Sequence, residues 1–329
     1  TDQAMMDIGM QAFDQVDTSP NAAVTDQASN SLAAQPQEES ISIVCGLTGD
    51  MDPYLMQRYN FDSNNNFVFK RLTVRSMLQD FHPVQLLMFN VPEEMQASAT
   101  DIAREHLEGL VSLDVGLRLI SLYVIRATDR FALSLTDPCR YYQFVYPHFP
   151  VIPLTTPPDP RSSDPSLLAA IYLVTLSFAG FDDYLSVQIA YDLPDTEKLW
   201  DLALSAKQQG LHKPNFAMLQ TVILILVAPS PKPLMPDYST EWSLVGTMVT
   251  VSQTLGLQFD ASDWKISLGE LELRKRLSWV VEIIDVWHAA VLGRTCLIRE
   301  DNWLVREPQL TDFSDQESQT TMSKHFIHM

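Results

Sequence analysis

Two acids, Glu282 and Asp285, stand three residues apart inside an otherwise apolar run, and His288 follows three further on. On a helix that spacing puts both carboxylates on one side, where an acid pair could serve as general acid and base in one cleft. A basic cluster, Arg274, Lys275 and Arg276, precedes the acids, and Arg294 follows them. The remaining groupings that could do chemistry are weaker. Asp62 to Phe67 begins like an EF-hand loop, but it lacks the glycine at the sixth position and has Thr73 where a bidentate glutamate belongs, so it reads as a solvated loop. His325 and His328 have the spacing of two metal ligands without a third. Cys45, Cys139 and Cys296 are far apart and odd in number, which fits neither a disulfide framework nor a cysteine zinc site and points to a reducing compartment. Gly46 to Asp50 reads as a turn rather than a phosphate cradle, and no P-loop, G-x-S-x-G or H-E-x-x-H motif occurs. The expectation is a chain with no catalytic residue, no metal site and no cofactor of its own.

The element that must position the acids is a helix over 270–292. Leu273, Leu277, Val280, Ile284, Trp287 and Val291 recur by three and four along one face, with Trp279, Ile283, Val286 and Ala290 as a second apolar stripe beside it. Lys275, Ser278, Glu282 and Asp285 are left as a narrow polar seam. Ser267 to Glu270 is a capping-box pattern, and Gly293 suits the C-terminal stop. Glu270 with Arg274, and Glu272 with Arg276, are favourable pairs four residues apart, so the basic cluster is neutralised locally and makes a poor DNA patch. Two acids and a histidine within the run also exclude a membrane span, which needs about 20 apolar residues with few charges. Burying the acids unpaired would cost several kcal/mol. The seam is therefore read as structural, with Asp285 paired to Arg294 and with Arg274 or Arg276 near Glu282.

The 329 residues carry a net charge of -19 and are 46% hydrophobic, enough for one large core and too acidic overall to neutralise phosphates. No Lys or Arg precedes Arg58. The chain begins at Thr1 without a signal peptide, and the missing initiator suggests a piece of something longer. Residues 1–40 read as an acidic, largely disordered segment with a short helix over 3–16 that places Met6, Met10 and Phe13 together. Residues 41–315 read as globular and 316–329 as a polar tail. Helices are expected near 101–110, 114–128, 166–179, 196–209, 216–227, 241–255 and 270–292, separated by proline-rich breakers at 150–160 and 228–236. Alternation over Asn66 to Arg75 predicts a short hairpin, at most one, near 66–90. Strand and helix do not alternate regularly, so the class is mainly α, an irregular all-helical domain.

Two stretches carry a resemblance. Trp242 to Trp264 holds an aromatic, Gly246 and Leu255-Gly256-Leu257. Glu272 to Trp303 holds Arg274-Lys275-Arg276, Leu277, Trp279, Asp285 and Gly293-Arg294. Together they resemble the fungal-specific transcription factor domain, the middle homology region of zinc binuclear cluster regulators. Upstream, Gly46 to Tyr59 (with Asp50, Asp52 and Pro53), Tyr146 to Ile152 and Leu167 to Leu185 are similar to one subgroup, the activators of nitrogen and GABA catabolism genes. Three positions depart from the family pattern. Val286 follows the helix aspartate where Arg or Lys is usual, Ser278 replaces a usual Trp, and Trp303-Leu304-Val305-Arg306 stands for Trp-Asp-Val-Pro.

The resemblance implies a nuclear regulator of transcription that acts by contact with other regulators or coactivators, as a homo- or heterodimer, and without catalysis or a membrane. It also implies a six-cysteine module holding two zinc ions for DNA binding, which these residues do not contain. The rival reading is a small-molecule-binding or enzymatic helical protein built on the Glu282/Asp285 seam. Residues 124–143 interrupt the family spacing: their removal would join Tyr123 to Phe144 and restore it. Two origins stay open, a retained intron or a true insertion that extends the preceding helix.

Overall fold

A computed structural model describes residues 40–45, 56, 58–69, 72–77, 84–90, 94–124, 151–153, 157–230, 237–307 and 309, all within the compact unit Glu38–Met329. Among them are four strands, β1 (Ser40–Val44), β2 (Asn66–Phe69), β3 (Leu72–Met77) and β4 (Val84–Asn90). Eight α-helices follow: α1 (Glu94–Leu110), α2 (Leu113–Val124), α3 (Pro165–Leu176), α4 (Asp183–Tyr191), α5 (Thr196–Gly210), α6 (Phe216–Val227), α7 (Tyr238–Thr254) and α8 (Leu268–Leu292). The protein is mainly helical, as its periodicity predicts.

The sheet is larger than one hairpin. Its order is β1-β4-β3-β2, antiparallel throughout, with Ile43 opposite Leu87, Val74 opposite Leu87, and Val68 opposite Thr73. β1 and β4 are not revealed by alternation: "SISIV" follows a polar stretch, and "VQLLMFN" carries a continuous apolar run. Met77, Val84 and Leu86 bury against Ala261 and Trp264 in a small core of their own. That core joins the sheet to the segment between α7 and α8. Arg75 reinforces the junction by donating to the Lys265 carbonyl at 3.1 Å.

The main core forms around α3 and α6. Both helices are apolar on every side, which only full burial accommodates. Residues from Pro165 to Thr175 on α3 and from Met218 to Ile225 on α6 are buried. The other helices pack around them, α2 closely enough that a Cβ on Gly116 would clash with the Tyr172 hydroxyl.

The starts of these helices follow local chemistry. Asp164 (with Pro165 in the first turn), Asp182, Asp195, Asn215, Asp237 and Ser267 each accept from an amide of the first turn. Asp182 opens α4, which the spacing of apolar residues alone does not reveal because only Leu185 of that helix is buried. Asp237 starts α7 three residues ahead of the expected 241.

Gly256 ends the turn after α7 with φ +78°, and a Cβ there would come within 2.6 Å of Val44 on β1. Only glycine meets both demands. The Leu-Gly-Leu motif is thus the point where the sheet approaches the helices. Residues 46–55 (with Gly46, Asp50, Asp52 and Pro53), the segments 1–39 and 125–150, and the tail with His325 and His328 lie outside the described residues. So do Cys139 and the interruption beyond Val124.

Candidate functional site

α8 runs from the Ser267 cap to Gly293, which adopts a left-handed conformation (φ 62°) as the C-cap. Its middle, from Arg274 to Asp285, holds nearly all of its buried residues. Arg274 is buried, and four groups hold it. Its Nε donates to Glu270 Oε1 at 2.9 Å, its Nη1 donates to the Leu255 carbonyl at 2.9 Å, and its guanidinium lies 5.0 Å from the Trp264 ring and 5.1 Å from Phe216. Burial pulls its pKa down, while the Glu270 charge and hydrogen bond push back. The Leu255 carbonyl belongs to the end of α7, so one cation couples the start of α8 to the last turn of its neighbour. Arg276 is also buried, and its Nε donates to the Glu272 carbonyl at 3.2 Å.

The acids of the seam are placed differently from one another. Asp285 is fully buried and does not pair with Arg294, contrary to the reading from charge and proximity. Its carboxylate instead accepts from the amides of Leu297 (2.9 and 3.1 Å) and Ile298 (2.8 Å). Gly293 turns the chain back on the helix, and that geometry aims the following amides at the helix side while carrying Arg294 away. The Arg294 guanidinium lies 5.2 Å from the ring of Trp242.

Glu282 is half-buried. Burial first, then the like charges of Glu300 and Asp285, push its carboxyl above the usual range. Neither Arg274 nor Arg276 answers it. His288 places Nδ1 2.9 Å from the Ile284 carbonyl of its own helix. The acids and the histidine therefore converge on no common reacting position.

Residues 294–306 form a strap laid back along α8. Trp303 is buried and donates from Nε1 to Ser278 Oγ at 2.9 Å, while Trp279 Nε1 donates to the Arg306 carbonyl at 3.0 Å. Leu304 N–H donates to the Gln258 carbonyl at 2.8 Å, and Arg306 pairs with Asp260. Burial raises the Asp260 carboxyl, but hydrogen bonds from Arg306 and Ser262 outweigh it and bring it down to about 2. Ser278 is small where the family pattern usually has Trp, and Trp303 reaches its hydroxyl.

Reading one face of α8 as core from end to end needs correction. Leu277, Val280 and Ile284 are buried, but Trp287 is 63% and Val291 65% exposed, while Ala289 between them stays buried.

Among the described residues no group of three or more His, Cys, Asp or Glu could hold a metal, and no helix is long and apolar enough to cross a membrane. The sequence model of the fungal specific transcription factor domain matches residues 140–328, more than half of the chain. The chain belongs to the fungal specific transcription factor domain family. The strap, the Arg274 cluster and the Asp285 clasp all lie inside the matched region of this fungal transcription factor domain.

A transcriptional regulatory protein of Schizosaccharomyces pombe, itself uncharacterized, is 27% identical over 271 residues, 80% of this chain and 38% of the relative. The transcriptional activator protein DAL81 of Saccharomyces cerevisiae is 33% identical over 149 residues, 45% of this chain and 14% of that protein. The fungal transcription factor domain seen here thus spans well under half the length of the curated relatives it matches. No solved structure matches it.

Proposed function

We propose that this chain is the regulatory part of a nuclear zinc-cluster transcription regulator that controls genes of nitrogen and GABA catabolism. The observation that carries this reading is how the basic cluster is used. Arg274 and Arg276, which as a patch could meet phosphate, are buried and bonded within the fold, and the chain has a net charge of -19. Such a domain works by contact with proteins. DNA is reached through a zinc-bearing module outside these residues, and the partners are other regulators or coactivators, including a second copy of the regulator. The likeness to a transcriptional activator protein supports the role in transcription, and the resemblance of the Gly46 to Tyr59 run is what supports the catabolic subgroup. The acid seam favours this reading over an enzyme, because both Asp285 oxygens already serve the strap.

The test has two arms. Joined to a heterologous DNA-binding domain in a fungal host, the chain should change a reporter's transcription in response to nitrogen source. Alone, in a mobility-shift titration, it should give no sequence-selective complex at physiological salt. A salt-resistant selective complex, or an inert fusion, would overturn the reading.

A further inference from the structure

A cleft of about 390 Å³ opens between α5, the end of α6 and the start of α7, away from the α8 seam. Its volume lies within the range of small-molecule sites. Trp200, Leu226 and Leu244 belong to its apolar part, and four acids, Glu197, Asp201, Asp237 and Glu241, stand in its polar part, with no basic side chain among the described lining residues. Lys198, on the same helix as Trp200, is paired instead with Asp195 at 3.1 Å.

The acids differ in what they already do. Asp237 caps α7, accepting from Thr240 N at 3.0 Å and Thr240 Oγ1 at 2.6 Å, and those bonds hold its carboxyl below the usual range. Asp201 and Glu241 make no side-chain hydrogen bond or ion pair among the described residues, so their oxygens are available to a ligand. The C-terminal end of α6, the negative end of its dipole, forms another wall, through Ile225, Leu226 and Ala228. The positive end of α7 also borders the cleft, but Asp237 and Glu241 offset it.

An apolar recess with an indole, two unengaged carboxylates and a helix C-terminus selects one chemistry. An anion would be repelled, and a neutral apolar body would leave the carboxylates unused. A cation on an apolar body satisfies both parts, with the ammonium at the acids and the body on Trp200 and Leu244. We infer that this cleft binds an organic ammonium group carried on a small apolar body. Its occupancy would couple three helices that pack on the main core, which goes beyond the proposed role in transcription and does not depend on it.

The probe is phenethylammonium, titrated into the full chain by calorimetry and by amide NMR, with 2-phenylethanol and 3-phenylpropionate as neutral and anionic matches. Saturable binding of the ammonium alone is expected, with shifts at Trp200, Asp201 and Glu241. The double variant Asp201→Asn/Glu241→Gln should weaken it at least tenfold while thermal melting stays unchanged. Trp200→Leu provides a second check that keeps the charges and should weaken it several-fold. A lysine-bearing peptide presents the same ammonium, so tighter binding of the peptide than of the free amine would support the site and assign its source to a partner's side chain. Equal binding of the alcohol, shifts confined to other helices, or affinity unchanged in the double variant would overturn the inference.

Discussion

Arg274, near the start of α8, meets a carboxylate, a carbonyl and two aromatic rings, whereas Asp285, about three turns later, meets only backbone amides among the described residues. Both are buried charges on one helix. The first carries its counter-charge on its own helix, four residues earlier, and uses its remaining donors to take up a carbonyl at the end of α7. The second has no counter-charge bonded to it among the described residues. Successive N–H groups of the strap donate to its carboxylate instead. The difference shows that a buried charge can couple two elements without a salt bridge, provided the turn beyond the helix delivers amides to it.

The largest effect should come from Asp285→Ala. It strips the acceptor from two strap amides, and hydrogen bonds to charged groups contribute about 1.5–3 kcal/mol each. A loss of about 3–5 kcal/mol is expected in denaturant melts, with Asp285→Asn losing about half as much because its carbonyl oxygen still accepts. A loss under about 1 kcal/mol for the alanine variant would mean that water replaces the carboxylate and that the two ends of the helix are not comparable. Arg274→Ala should follow, at about 2–4 kcal/mol, since it strands the Leu255 carbonyl and empties the space between Trp264 and Phe216. Arg274→Lys sharpens the point: an ammonium keeps the charge but not the planar fork, and about 1–2 kcal/mol should be lost. Equal stability of the lysine variant would show that charge alone suffices there.

Glu282 supplies the smallest and most diagnostic effect, since it sits beside Asp285 without the amides. Its folded pKa is raised, so ionisation opposes folding. The penalty is absent below the unfolded pKa of about 4.3 and grows as pH rises through the folded value. Glu282→Gln should therefore stabilise the chain at pH 7 and not at pH 4. The gain should stay under about 1 kcal/mol because solvent screens a half-exposed group. A gain of the same size at both pH values would remove like-charge repulsion from the account.

The same contrast marks what the letters reveal. The ends of α8 were legible, because Ser267 and Gly293 are residue types whose local geometry does the capping. So was the Glu270–Arg274 pair, at helical spacing. The partner of Asp285 was not, because every residue except proline carries an amide. Sequence reasoning turned to Arg294, the nearest opposite charge, which the Gly293 turn carries off to Trp242. Trp287 and Val291 share a stripe with Leu277 and Val280, yet periodicity defines a face and not which part of it the fold covers: Ala289, between them, is the buried one. β4 carries an apolar run without alternation, and the burial of its Val84 and Leu86 is decided by Trp264 and Ala261, far along the chain. The unengaged acids of the α5–α7 cleft had no motif to show, since three separate helices bring the lining together.

The strap has a consequence for how this part of the chain can change over generations. Its ties at Leu297, Ile298 and Leu304 use main-chain N–H groups, and its tie at Arg306 to Trp279 uses a main-chain carbonyl. At 297, 298 and 304 only proline would remove the tie, whereas the ties of Trp303 to Ser278 and of Arg306 to Asp260 depend on those side chains. A proline at 306 still offers the carbonyl that Trp279 needs. The usual Trp-Asp-Val-Pro and the Trp303-Leu304-Val305-Arg306 of this chain can then share the main-chain ties of one clasp, with the Arg306–Asp260 pair as this chain's own addition.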